Sequence, residues 1–172
     1  MCHPSFEKVQ DGVTEALRRF YRNDLYLIRI KAHERSLTFR LGMYLQQIFP
    51  DWDVDCEYNR NVSEPDDVKR IPGHTPVYPD VILHKRGSAK NLLAIEAKPP
   101  HSSSGAIGKD KRKIEKYVTR RKLRYRFGLF IEFKEDFEST AASLLWCQSE
   151  EGTPRWFGND GKSKSVIGFE ER

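Results

Sequence analysis

The first half of the chain carries the hydrophobic periodicity of two helices followed by a strand. Apolar residues recur every three or four positions over about residues 4–21 and again over about residues 33–49, which predicts two amphipathic helices. A short apolar stretch, residues 25–30, separates them, and Pro50 ends the second helix. Over residues 52–59 apolar and polar side chains alternate, which is the pattern of a half-buried strand.

Two apolar segments in the middle of the chain predict a β-hairpin. A polar loop runs to about Pro76, and loops of this length are often functional in compact domains. Residues 77–85 and 91–98 both have strand character, and the five residues 86–90 between them suit a hairpin connection. A Pro-Pro pair ends the second strand.

Helical and strand patterns continue beyond the hairpin. A Ser/Gly-rich loop at residues 101–108 precedes a strongly basic helix over about residues 109–122, and residues 124–133 have strand character. The pattern then weakens, and residues 143–148 and those from 156 onward are expected to form late strands. This order of elements predicts an α/β domain with a mixed central β-sheet flanked by helices.

Positive charge is concentrated in one segment of the chain. The formal net charge is +5, whereas residues 109–126 contain ten Lys and Arg residues against Asp110 and Glu115. Such clustering suits contact with nucleic-acid phosphates, and an ordinary solvated helix face is the alternative. The candidate nucleic-acid-binding residues are Lys109, Lys113, Tyr117, Arg120 and Arg121 in this segment and Arg60 after the first strand; Tyr117 suits core packing equally well.

Cysteine content and hydropathy argue against several other classes of protein. The three cysteines, Cys2, Cys56 and Cys147, are odd in number and far apart, so neither a disulfide framework nor a zinc site is expected. Charged residues occur throughout the first part of the chain, and no apolar run approaches the roughly 20 residues that span a bilayer. A cytoplasmic protein without a leader peptide and without membrane contact is therefore expected.

The hairpin brings together the most informative group of side chains. If it turns about Ser88, Asp80 faces Glu96 across the two strands, with Cβ atoms about 5 Å apart, and Lys98 projects to the same face. Two opposed carboxylates repel each other unless a cation compensates for them, and Mg²⁺ prefers such hard oxygen ligands. A lysine beside that metal can orient an attacking water, so the set suggests phosphodiester hydrolysis.

Each of these residues also has an ordinary structural explanation. Single acidic residues at strand ends are usually solvated, and only the combination of Asp80, Glu96 and Lys98 is selective. Glu34 continues the apolar stripe of its helix at Leu37 and Leu41, which is unusual for a carboxylate. A first-turn glutamate favoured by the helix dipole is the ordinary explanation.

Pro79-Asp80 followed by Glu96-Ala97-Lys98 resembles the signature of the PD-(D/E)XK nuclease superfamily, which has the restriction-endonuclease-like fold. The resemblance covers about residues 33–133 and implies a core of αβββαβ order. Residues 1–32, with an extra helix, and residues 134–172 would extend it within a single domain. It further implies that Asp80, Glu96 and the Ala97 carbonyl bind metal, sometimes with an acid such as Glu34.

The same resemblance assigns chemistry to the remaining residues. Lys98 would be the catalytic lysine, and Lys113 and Tyr117 would support the site from the basic helix. The expected activity is Mg²⁺-dependent hydrolysis of nucleic acid, DNA ahead of RNA, with Mn²⁺ as a substitute and a homodimer or larger complex as a compatible assembly. The alternatives are a catalytically inactive nucleic-acid-binding module of this fold and an accessory subunit whose basic helix meets an acidic partner.

Overall fold

The chain begins with one long helix where the sequence predicts a helix and a separate apolar stretch. The computed structural model describes residues 3–60, 68–71 and 75–162. In it, helix α1 is Phe6–Arg29, and Ser5 caps its first turn by accepting a hydrogen bond from the Lys8 amide. The prediction that residues 25–30 form a separate element is therefore wrong. Ile28 continues the buried stripe of α1, and no proline or glycine interrupts the helix after Gly12.

Helix α2, Glu34–Ile48, agrees closely with its predicted bounds. The ring of His33 caps it by accepting a hydrogen bond from the Arg35 amide at 3.2 Å. Its buried stripe includes Leu37, Leu41 and Leu45, and α2 packs against α1 along this stripe. The cap at His33 fixes where the first turn begins and thereby the position of Glu34.

The strands before the hairpin loop are shorter than predicted. Strand β1 is Asp53–Cys56, and a separate two-stranded sheet follows, made of β2 (Arg70–Ile71) and β3 (Thr75–Pro76). The predicted polar loop falls mostly on residues 61–67 and 72–74, which lie outside the described part of the chain. Strand β4 is Val81–His84 and strand β5 is Asn91–Lys98, which has its predicted bounds.

The basic helix starts earlier than its sequence pattern predicts. Helix α3 is Ser104–Thr119 and takes up most of the predicted Ser/Gly loop, because the Ser103 hydroxyl caps it by accepting a hydrogen bond from the Ala106 amide. It ends before the predicted position, and Arg120 is its C-cap. Strand β6, Phe127–Glu132, follows within the predicted segment.

The last part of the described chain contains a short helix that the sequence pattern did not reveal. Helix α4, Phe137–Ser143, is capped by Asp136, whose carboxylate accepts a hydrogen bond from the Ser139 amide. Two antiparallel strands follow, β7 (Leu145–Glu150) and β8 (Thr153–Gly158). The late strands expected from the sequence are therefore present with shifted bounds.

Six strands form one mixed sheet in the order β1-β4-β5-β6-β7-β8, so the fold is α/β. Only β5 and β6 pair in parallel, with α3 as the connection between them; the other neighbours are antiparallel. Helices α1 and α2 share one apolar cluster with one face of the sheet, and α3 shares a second cluster with the other face. No helix in the described residues is long and apolar enough to cross a bilayer.

Close contact between α3 and β6 depends on a glycine, which gives a test of this packing. A Cβ atom added at Gly128 would lie 2.3 Å from Ile114 Cγ2 on α3, so the helix would have to move away from the sheet. We expect Gly128→Ala to lower the free energy of unfolding by about 2 kcal/mol in urea denaturation.

The matched control is Gly105→Ala in the first turn of α3. Nothing lies within 4 Å of a Cβ atom at Gly105, and alanine favours helix more than glycine does. This variant is expected to be as stable as the wild-type protein or slightly more stable. Equal stability of both variants would contradict the packing described.

Candidate active site

The hairpin register brings the predicted carboxylates together. Val81 pairs with Ile95 and Leu83 pairs with Leu93, which confirms the predicted register over β4, and the pairing shifts only at His84. Continued by one residue beyond β4, this register puts Asp80 opposite Glu96. Alternate residues of β5 face opposite layers, so Glu96 faces α3 together with Ala94.

Asp80 lies immediately before β4 and is tied to β5 by its side chain. Its Oδ2 atom accepts a hydrogen bond from the Ala97 amide at 2.7 Å. Burial raises the pKa of Asp80 from its ordinary value of 3.8 to about 7, and the negative charges of Glu34 and Asp110 act in the same direction. Asp80 is therefore held beside other acids in a place where its charge is poorly solvated.

Glu96 is completely buried in the middle of the sheet layer, with 0% of its surface exposed. Its Oε1 accepts a hydrogen bond from the Tyr117 hydroxyl at 2.7 Å, and its Oε2 lies 3.0 Å from Lys113 Nζ. Burial raises the pKa of Glu96 well above its usual range, and the charge of Asp80 adds to this effect. The contacts from α3 offset only part of this destabilisation of the carboxylate.

Lys98 ends β5 and joins the two helical layers across the end of the sheet. Its Nζ lies 2.7 Å from Glu34 Oε2 on α2 and 2.8 Å from Asp110 Oδ2 on α3. Burial alone would lower the pKa of Lys98, but its ion pairs with Asp110 and Glu34 outweigh burial and raise the pKa. Lys98 is therefore a stable ammonium group, which can donate hydrogen bonds but is a poor proton acceptor.

The site as a whole carries more negative than positive charge. Four carboxylates (Asp80, Glu96, Glu34 and Asp110) meet two ammonium groups (Lys98 and Lys113), which leaves an excess of two negative charges when all are ionised. A divalent cation would balance that excess, whereas protonation of Asp80 and Glu96 relieves it in a metal-free protein.

The donor set of the carboxylates suits a hard divalent cation. Within the described residues, no three His, Cys, Asp or Glu side chains form a group that could hold a metal ion by themselves. Mg²⁺ commonly uses only one or two carboxylates and completes its shell with water and substrate phosphate. Asp80 and Glu96 supply such a pair, and Asp80 Oδ2 and both Glu96 oxygens each have a further lone pair beyond their present hydrogen bond.

The structure separates the predicted nucleic-acid-binding residues into two groups. Lys113 and Tyr117 turn inward onto Glu96, and the Tyr117 side chain is fully buried, so it offers no surface to a nucleic acid. Lys109, Arg120 and Arg121 are exposed. Within the basic segment, the face toward the sheet thus supports the acidic site and the outer face remains open to solvent.

Most exposed cations of the basic segment lie far from the carboxylates. Arg120 and Arg121 lie in the turn that follows α3. The Asn91 side chain, at the start of β5, donates a hydrogen bond to Leu123 O in this turn at 2.6 Å. Glu96 lies five positions after Asn91 along β5, which corresponds to roughly 17 Å. Arg60 is exposed and lines a small depression beside Asn91 and the hairpin loop. The Arg60, Arg120 and Arg121 group therefore lies at the opposite end of β5 from Lys98.

Sequence analysis missed Asp110 as a member of the site. It is 3% exposed, and its Oδ1 and Oδ2 contact Lys113 at 2.6 Å and Lys98 at 2.8 Å. In the sequence Asp110 counted only as a counter-charge within the basic segment. Its spacing of three residues from Lys113 and seven from Tyr117 places all three on one helix face, and this was the signal available.

No protein-family model matches the chain, and no curated protein matches it. Function is therefore inferred from the residues of the site and from their geometry.

The raised pKa of Asp80 predicts how stability depends on pH. The folded protein holds this proton up to about pH 7, whereas the unfolded chain releases it near the ordinary pKa of 3.8. The folded state therefore binds more protons within this window, and the free energy of unfolding falls as the pH rises through it. Asp80→Asn keeps an acceptor for the Ala97 amide but has no charge to desolvate.

We expect Asp80→Asn to gain about 2 kcal/mol relative to wild type between pH 5 and pH 8, measured by urea denaturation in metal-free buffer. Asp51→Asn, a change at an exposed carboxylate, serves as the control and should follow the wild-type curve. An Asp80→Asn variant whose stability falls with pH as steeply as that of the wild type would contradict the assignment.

Proposed function

We propose that the protein is a metal-dependent nuclease of the PD-(D/E)XK type that hydrolyses phosphodiester bonds, with DNA as the first substrate to test and RNA as the second. The observation that carries the proposal is the acidic pair of half-buried Asp80 and fully buried Glu96, with the Lys98 ammonium two residues after Glu96 at the end of β5. Such a pair destabilises the free protein, and a divalent cation together with a phosphate is the ligand that would compensate for it.

The order of elements around the site supports the same class. The elements around the site come in the order helix, strand, hairpin, helix and strand, and these are α2, β1, β4–β5, α3 and β6. This is the order that the sequence resemblance implies, apart from the small β2–β3 sheet. We include the restriction-endonuclease-like fold in the proposal on this basis, with α1 and the region after β6 as additions to it.

The proposed roles follow from the position of each group. Asp80 and Glu96 would hold Mg²⁺ or Mn²⁺, with the Ala97 carbonyl beside them and Glu34 near Lys98. The metal supplies Lewis-acid stabilisation of phosphate charge and an acidified water. Tyr117 and Lys113 hold the Glu96 carboxylate in one orientation by contacts to separate oxygens.

Lys98 acts as a hydrogen-bond donor in this proposal. Its raised pKa keeps the ammonium charged, so it would orient the attacking water or neutralise a phosphate oxygen without removing a proton. Glu34 and Asp110 lie on either side of its Nζ and fix where the ammonium is held. Removal of a proton from the attacking water would then fall to a group other than Lys98.

A cleavage panel tests the proposal. Single-stranded, double-stranded and branched DNA and RNA are each incubated with Mg²⁺, Mn²⁺ or EDTA. We expect metal-dependent cutting by the wild type and a loss of at least about 100-fold in Lys98→Ala, because one positioned donor at the reacting phosphate commonly contributes that much. Lys8→Ala, at an exposed lysine on α1, is the control and should cut like wild type. Cutting that survives Lys98→Ala would contradict the assigned role.

A catalytically inactive nucleic-acid-binding module is the second candidate. One observation favours it: Lys98 and Lys113 already form ion pairs with three of the carboxylates, which is how a site without metal would be stabilised. No cutting of any substrate with either metal, together with saturable binding that is unchanged by Asp80→Asn, would establish this candidate and exclude the nuclease.

Nucleic-acid binding through the exposed arginines has its own test. Arg120 and Arg121 lie at the end of α3 remote from Lys98, and this helix of 16 residues spans about 24 Å. A nucleic-acid strand that contacts both ends of α3 would lose two phosphate contacts in the Arg120→Gln/Arg121→Gln double variant. We expect the slope of log K against log salt to become shallower by roughly 1.4 to 1.8.

Fluorescence anisotropy with labelled DNA measures this slope, and the double variant Lys8→Gln/Arg22→Gln on α1 is the matched control. The control should keep the wild-type slope, because α1 packs on the opposite face of the sheet from α3. An unchanged slope in the Arg120→Gln/Arg121→Gln variant would exclude this end of α3 from the interface.

A further inference from the structure

An apolar cleft lies next to the acidic site and has no part in the chemistry described above. Its volume is about 250 Å³, and its walls come from the end of α1, from α2 and from the two prolines after β5. The apolar side chains that line it are Leu27, Ile28, Ala32, Leu37, Pro99 and Pro100. This volume is below that of pockets for drug-sized ligands, so the cleft suits one small group.

The cleft is adjacent to the Glu34–Lys98 ion pair. Pro99 follows Lys98 directly in the chain, and Leu37 lies one helical turn after Glu34 on α2. Glu34 Oε2 and Lys98 Nζ are 2.7 Å apart. Each partner of this ion pair therefore has a near neighbour in the chain, Leu37 or Pro99, that lines the cleft. A ligand that reaches Lys98 from the α1–α2 side would therefore pass the mouth of the cleft.

The rim of the cleft is predominantly basic. Arg29, Lys31 and His101 lie around it and are exposed, and Glu135 is the one acid among its lining residues, 3.7 Å from His101. Lys31 and His101 both have left-handed backbones, with φ of 54° and 64°. The conformation at Lys31 closes the end of α1, where its amide donates to Ile28 O at 3.0 Å, and it turns the chain into the wall at Ala32.

We propose that this cleft binds one nucleobase of the substrate strand, taken out of the base stack beside the phosphate that lies at Lys98. This inference rests on the proposed function. A nucleobase has two apolar faces that match the walls, and the phosphates on either side of it are the anions that the basic rim suits. The described lining contains no Phe, Tyr or Trp, so apolar contact with the proline and leucine side chains replaces aromatic stacking.

The cleft also defines a class of substrate. Removing a base from a continuous duplex costs a few kcal/mol of unstacking and unpairing free energy, and the cost is least in a single strand or at an unpaired end. The protein should therefore act on single-stranded DNA, or on the unpaired strand of a branched or frayed DNA, ahead of an uninterrupted duplex.

The test uses 2-aminopurine, a fluorescent adenine analogue whose emission is quenched by stacking. It is placed at each position in turn of a single-stranded oligonucleotide, which is bound by the wild-type protein in EDTA so that no metal-dependent cutting occurs. We expect emission to rise several-fold at one position and to change little at the others.

Two variants distinguish the cleft from other surfaces. Ala32→Phe fills the cleft and should abolish the rise in emission and weaken oligonucleotide binding several-fold. Ala142→Phe, at an exposed alanine that lines a separate surface cleft with Gly158, should leave both unchanged. If Ala32→Phe fails to fold, an abasic site at the responsive position gives the same information with wild-type protein, because it should weaken binding at that position alone.

The outcomes separate this inference from the proposed nuclease activity. Metal-dependent cleavage with no responsive position, no effect of an abasic site and normal cleavage by Ala32→Phe would overturn the base site and leave the nuclease intact. A responsive position that Ala32→Phe abolishes would support the base site even if no substrate is cut. Equal cleavage of single strands and continuous duplex, with no responsive position, would overturn it as well.

Discussion

The buried carboxylate of Glu96 is the constraint on which the rest of the structure depends. A charge in the middle of a β-sheet layer is destabilising unless other groups stabilise it, and here α3 supplies the Tyr117 hydroxyl and the Lys113 ammonium. Those two contacts come from the same face of α3 that packs on the sheet through Ile114 and Val118. Gly128 lets the helix approach closely enough to make them.

The second consequence of that constraint is a site with unbalanced charge. Asp80 adds a further carboxylate beside Glu96, and Lys98 joins Glu34 on one helical layer to Asp110 on the other. A protein that needed only stability would gain by replacing such a network with apolar side chains. The negative excess suits the divalent cation that we propose for this site, and the apolar cleft beside Lys98 is where we place one nucleobase of the proposed substrate.

The sequence predicted those features that depend on local rules. The five-residue loop set the register of the β4–β5 hairpin, and with it the approach of Asp80 to Glu96, because side-chain direction alternates along a strand. The inward position of Lys113 was expected from the family resemblance alone. Asp110 was missed because its spacing shows which helix residues share a face but not which face of α3 packs on the sheet. The start of α3 was misplaced for a different reason: Ser103 caps a helix through a segment whose Ser and Gly content is typical of loops.

The first measurement to make is direct binding of Mn²⁺, followed by the electron paramagnetic resonance signal of the free ion. It tests whether the acidic pair Asp80 and Glu96 binds a divalent cation. We predict that the wild-type protein binds Mn²⁺ saturably and that Mg²⁺ displaces the bound Mn²⁺. Glu96→Gln, which keeps the size of the side chain, should lose this binding, and Glu151→Gln at an exposed position should retain it. No binding by the wild type, or equal binding by Glu96→Gln, would contradict the account.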